Sequence, residues 1–140
     1  MKPTGGKQPR RKIADLGAAL RPNLRGKVWV EIGKSAALTE AGADLLEQIA
    51  ACGSLSEAAR RLHYSYRRAW LLIDAMNRHW PKPLVTTAVG GERGGGTRIT
   101  ELGSVVLRSY RDLQLQLEHL LDAASEPFAK SVASSIPSVP

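Results

Sequence analysis

The residues best equipped for chemistry in this 140-residue chain are hydrogen-bond donors rather than nucleophiles or acid–base pairs. Ser65-Tyr66-Arg67-Arg68 sets a hydroxyl, a phenol and two guanidinium groups side by side. Arginine offers a rigid fork of donors that fits phosphate and the guanine edge, and a serine hydroxyl can hold phosphate or a base. A second group, Gly90-Gly91-Glu92-Arg93-Gly94-Gly95-Gly96 and then Thr97-Arg98, couples glycine amides to two more arginines. It lacks a Gly-Lys-Ser/Thr ending and joins strand to strand, so it is not read as a nucleotide phosphate loop, and no cofactor is expected. His63, His79 and His119 are scattered, and no Ser/His/Asp or paired-carboxylate set converges, so no enzymatic centre is expected. The lone Cys52 excludes an internal disulfide or a Cys-rich zinc site and reads as a buried thiol; no metal ligand is assigned.

Charge says what kind of partner such donors would meet. The chain carries +7 overall, which points to a polyanion, nucleic acid or an acidic membrane surface. Residues 1–34 hold nine Lys/Arg against Asp15 and Glu31, and the remainder balances. Within that remainder, residues 60–98 hold eight Lys/Arg opposed only by Asp74 and Glu92. A basic arm and a basic middle between compensating helices suit a protein that lays one face on phosphate. No apolar run follows Arg10-Arg11-Lys12 as an export leader would require, and none approaches the ~20 residues of a membrane span. A soluble, cytoplasmic protein without membrane contact is therefore expected.

The elements that must position these donors follow from hydrophobic period and punctuation. Residues 1–26 mix Pro, Gly and Lys/Arg without period and read as a basic flexible arm. Residues 27–32 alternate as a short strand ending at Gly33. Thr39 caps a helix to Ala51 with Leu38, Leu45, Leu46, Ile49 and Ala50 on its buried stripe, and Gly53 supplies a left-handed stop. Ser54 and Glu57 match a capping box opening a short helix whose apolar side is Leu55, Ala58, Ala59 and Leu62. His63 then takes a turn position that favours positive φ, and Tyr64 plugs the turn into the core. Ser65 caps a third helix to about His79, with Tyr66, Ala69, Trp70, Ile73, Met76 and Asn77 inward, and Ser65, Arg67, Arg68, Leu71 and Arg78 outside that stripe. Pro81 and Pro83 stop it. Residues 84–89 and 97–100 form a hairpin, and Thr100 caps a last helix to about Ala124.

This order, helix, short helix, tight turn, helix, hairpin, helix, predicts a mainly α fold with a small β-hairpin: a winged helix-turn-helix. In that fold the start of the third helix reaches base edges and the hairpin approaches the backbone. Ser54, Ser56, Ser65, Tyr66, Arg67, Arg68, Arg93, Gly94, Gly95, Thr97 and Arg98 are accordingly the candidate residues for double-stranded DNA. Val106, Tyr110, Leu113, Leu117 and Leu120 recur at 4-3-4-3 spacing, with Leu107 and Leu121 beside them. Two apolar rows need two burial surfaces, so a long C-terminal dimerisation helix, residues 100–124, and a homodimer are expected.

The runs Ser65-Tyr-Arg-Arg-Ala-Trp-Leu-Leu-Ile-Asp-Ala-Met-Asn77, Pro83-Leu-Val and Thr87-Ala-Val-Gly-Gly-Glu-Arg-Gly-Gly-Gly-Thr-Arg-Ile-Thr-Glu-Leu-Gly103 resemble the DNA-binding domain of the ModE family. These are molybdate-responsive bacterial transcriptional regulators, and the likeness covers about residues 27–124. The resemblance implies a dimer on an inverted-repeat operator, with Ser65, Tyr66, Arg67 and Arg68 as readers and residues 90–98 as the wing. The family's oxyanion-binding modules for molybdate or tungstate have no counterpart expected after residue 124, where a Ser/Pro-rich tail, 125–140, reads as disordered. No effector is therefore assigned. Two other classes remain open from the residues: a small oxyanion- or metal-handling protein using the glycine-rich loop, and an interaction module pairing with another regulator.

Overall fold

A computed structural model describes residues 21–88 and 96–136. One compact unit spans Lys27–Leu117, and from Glu118 onward the chain groups in a second.

The first unit opens with β1 (Val30–Ile32) and β2 (Ser35–Leu38), antiparallel with Glu31 opposite Ala36 and Ile32 opposite Ser35. The expected strand thus has a partner that the sequence reading missed, because Ser-Ala-Ala-Leu carries no β-branched residue. Gly33 turns the hairpin at φ 68°. Thr39 caps α1 (Glu40–Cys52), its hydroxyl accepting from the Gly42 amide, and Gly53 ends it at φ 66° with its N–H on the Ile49 carbonyl. Leu45, Leu46 and Ile49 are buried as expected, whereas Ala50 is exposed. Two further helices follow, α2 (Leu55–Arg61) and α3 (Tyr66–His79), and then the antiparallel strands β3 (Val85–Thr87) and β4 (Thr97–Ile99). The last helix, α4, runs Glu101–Ser135. Helix, short helix, turn, helix and hairpin in this order make the unit a winged helix-turn-helix, as the pattern predicted.

Small and aliphatic side chains fill the core. Leu38, Leu45, Leu46, Ala58, Ala69, Ile73 and Leu84 are buried together, with Tyr110 as the one fully buried aromatic. The Tyr110 hydroxyl donates to the Val28 carbonyl at 2.7 Å, so the polar end of a buried ring is satisfied. Burial pushes that phenol's pKa up, and the Glu40 carboxylate adds to the shift. Arg111, one residue on, donates to Asp44 and Glu47 and so ties α4 to the flank of α1.

Two junctions fix the hairpin. Asn77, near the end of α3, accepts from the Leu84 and Val85 amides and donates to the Val85 carbonyl. Thr100 sends its amide to the Leu84 carbonyl and its hydroxyl to Pro83, and that hydroxyl also caps α4 at Gly103. Gly103 has to be glycine there: a Cβ would lie 2.3 Å from the Leu84 carbonyl oxygen.

A last helix ending near Ala124 and a disordered tail over 125–140 are what the sequence leads one to expect. The helix instead continues through Pro127 to Ser135. Proline costs a helix interior ~3 kcal/mol, and the helix accommodates Pro127 nonetheless. Around it, Glu126 pairs with Lys130 one turn on, and Ser125 returns its hydroxyl to the Leu121 carbonyl. Residues 137–140, like residues 1–20 of the arm expected over 1–26, lie outside the described residues.

Candidate nucleic-acid interface

The site is built on α2, the turn and α3. Ser54 caps α2 by accepting from the Glu57 amide, which is half of the expected capping box. The return bond is not made, because Glu57 is engaged by Arg60 and Arg61. The Arg60 hydrogen bond above all, opposed by desolvation, holds the Glu57 carboxyl below its usual pKa. The Ser54 hydroxyl also lies 3.2 Å from that of the exposed Ser56.

Ala58 and Ala59 are buried where α2 meets α3, and their small size permits the close crossing. The turn is closed by the His63 amide on the Arg60 carbonyl and the Tyr64 amide on the Ala59 carbonyl. His63 sits at φ 57°, the positive value its position predicted. Tyr64 is half-buried against the core, and the Arg68 guanidinium stacks over its ring at 4.1 Å. The Ser65 hydroxyl accepts from the Arg68 amide, fixing the first turn of α3.

Ser65, Tyr66, Arg67 and Arg68 are all exposed, and α3 has no acidic residue in its first turn. The inward stripe of α3 is narrower than expected: Ala69, Ile73 and Met76 are buried, but Tyr66 and Trp70 are exposed and meet edge to face. They sit at the margin of the stripe, where a period-3.6 reading cannot separate a covered position from an open one. Asn77 is the important residue missed in this region. Its place in the stripe was legible, but its grip on Leu84 and Val85 was not.

On the wing, Arg98 is exposed on β4 opposite Thr86. Thr97 is buried at 6 % exposure, its amide bonded to the Gly53 carbonyl, so its side chain is not offered at the surface. Arg93, Gly94 and Gly95 lie outside the described residues. Cys52 is half-buried, with its thiol on the Ser54 carbonyl. Among the described residues no group of three or more His, Cys, Asp or Glu could hold a metal ion, and no helix is long and apolar enough to cross a membrane.

The residues expected to pair subunits divide. Val106 and Tyr110 are buried within their own unit, which corrects their assignment to a partner-facing row. The row begins by packing inside its own unit and only afterwards comes free. Leu113 and Leu120 are exposed at 44 % and 62 %, with Leu117 half-buried.

Fold and helix-turn-helix place this chain in the class of winged helix-turn-helix proteins, and its relatives narrow the class. The "Molybdenum transport protein ModE" of Azotobacter vinelandii is 41% identical over 90 residues, 64% of this chain and 33% of that protein. "Transcriptional regulator ModE" of Haemophilus influenzae is 40% identical over 75 residues, 54% of this chain and 29% of that protein. "DNA-binding transcriptional dual regulator ModE" of Escherichia coli (strain K12) is 39% identical over 74 residues, 53% of this chain and 28% of that protein. No family model matches the chain. The chain is homologous to ModE proteins over these stretches, as the motifs at Ser65–Asn77 and Thr87–Gly103 led one to expect. It spans about a third of the length of the curated relatives it matches.

His63 yields a direct test of the turn. A non-glycine residue at positive φ is strained, so His63→Gly should stabilise the protein by about 1 kcal/mol and raise its melting temperature by several degrees. His63→Val should lower it; equal melting temperatures in calorimetry would show that the turn carries no strain.

Proposed function

We propose that this chain is a sequence-specific, double-stranded DNA-binding transcriptional regulator of the ModE type, acting as a homodimer on an inverted-repeat operator and linked to molybdenum metabolism. The observation that carries the reading is the start of α3, where Ser65, Tyr66, Arg67 and Arg68 stand exposed on a helix whose other face is locked into the core. Recognition helices meet base edges through this end. Arg67 is the freer arginine and suits bidentate contact with guanine, while Arg68, held over Tyr64, suits a fixed phosphate contact. Ser54, Ser56 and Arg98, with Arg93, Gly94 and Gly95, complete the proposed surface. Thr97 is left out because it is buried.

The domain reading is a proposal of the same kind: a basic arm over 1–26 and a DNA-binding domain over 27–124 whose last helix also pairs subunits. What supports pairing is the exposed Leu113 and Leu120 with Leu117 between them, an apolar row that a second copy of the helix would cover. The molybdenum link is supported by the names of the relatives alone.

Three outcomes are expected. Arg67→Ala should lose footprint protection of its own promoter region, with a penalty of ~1–3 kcal/mol against specific over random DNA. Protection that survives the change would exclude α3 as the reader. Leu117→Glu with Leu120→Glu should shift the protein from dimer to monomer in sedimentation, and an unaltered mass would place the interface elsewhere. Immunoprecipitation with bound DNA should enrich promoters of molybdate-uptake or molybdenum-cofactor genes; promoters of unrelated genes would break the molybdenum link while leaving DNA binding intact.

A further inference from the structure

The outward face of α3 carries a leucine that the fold does not use. Ala69, Ile73 and Met76 hold the helix to the core, and the opposite side reads Arg67, Leu71, Asp74, Arg78 at spacings of four, three and four residues. Leu71 is 57 % exposed, the most exposed large apolar side chain on the helix. Around it lie Arg67 one turn before, Arg68 three residues before and Arg78 two turns after. The one acid on this face, Asp74, is already paired with Arg78 and so presents little free negative charge. A protein surface that fits this face would need an apolar spot inside a ring of acceptors. The DNA major groove offers that arrangement, with phosphates along its walls and the thymine 5-methyl group on its floor.

We propose that Leu71 is a specificity-determining residue that reads a thymine methyl group, next to the guanine contact of Arg67. This rests on the reading of α3 as the recognition helix. Four helical residues advance ~6 Å, and base pairs stack ~3.4 Å apart. The thymine therefore lies one or two base pairs from the pair that Arg67 contacts. Leucine has no donor or acceptor, so it adds nothing to phosphate binding and discriminates only through the methyl group it covers.

The test begins with a duplex selected from a random pool by the wild-type protein. Each thymine is then replaced singly by uracil, which removes the methyl group and nothing else. One replacement, one or two base pairs from the position where Arg67→Ala loses its base preference, should weaken binding about fourfold, the effect of one buried methyl group. Leu71→Ala should bind the thymine and uracil duplexes equally, with wild-type melting temperature and an unchanged salt slope. Specific binding with no methyl-dependent position there, or a thymine preference that persists in Leu71→Ala, would overturn the proposal. Failure to select any duplex at all would instead overturn DNA recognition itself, and this inference with it.

Discussion

The structure turns on the Leu84 peptide unit. Its amide is accepted by Asn77 at the end of α3, and its carbonyl takes the amide of Thr100, which caps α4. Its side chain is fully buried, and Gly103 stands so close that no larger residue fits. Leu84 thus meets α3, the hairpin and the last helix at one point. Buried backbone groups are costly to leave unpaired, so these bonds resist exchange with water. A displacement of α3 against β3 would leave two amides orphaned. The angle between helix and hairpin is therefore a property of the core, not of a flexible linker.

The last helix is divided in its duties by the same logic. Its beginning is committed inward, through Val106, Tyr110 and the Arg111 pairs with Asp44 and Glu47. From Leu113 the apolar residues are no longer fully covered. Had the whole row been available, a proposed partner helix would compete with the core for the same side chains. A single 4-3-4-3 pattern conceals two successive tasks because hydrophobic period records that a residue is covered, never by what.

That limit explains what was legible in the sequence and what was not. Capping residues were readable because each acts locally: Thr39, Ser54, Ser65 and Thr100 all cap the helices they precede. Gly53 and His63 were readable because positive φ is a demand on one residue. The pairing of β2 with β1, the exposure of Trp70 and the inward commitment of Tyr110 were not, since each depends on a distant neighbour. The Ser/Pro-rich composition of residues 125–140 pointed the other way: it suggests a disordered tail, yet the helix runs on through Pro127. At the candidate site, the exposed Ser65–Arg68 run stands where the motif put it, whereas Thr97 became unavailable through a bond to Gly53 that no spacing rule predicts.

The two faces of α3 have a consequence for how such a protein can change over time. Ala69, Ile73 and Met76 are buried and carry the architecture, whereas Arg67 and Leu71 are exposed. Substitutions on the outer face are therefore nearly silent for folding, while those on the inner face are not. The helix behaves as a replaceable cartridge in a fixed socket. A lineage can rewrite the outward letters one at a time, without passing through an unfolded intermediate sequence.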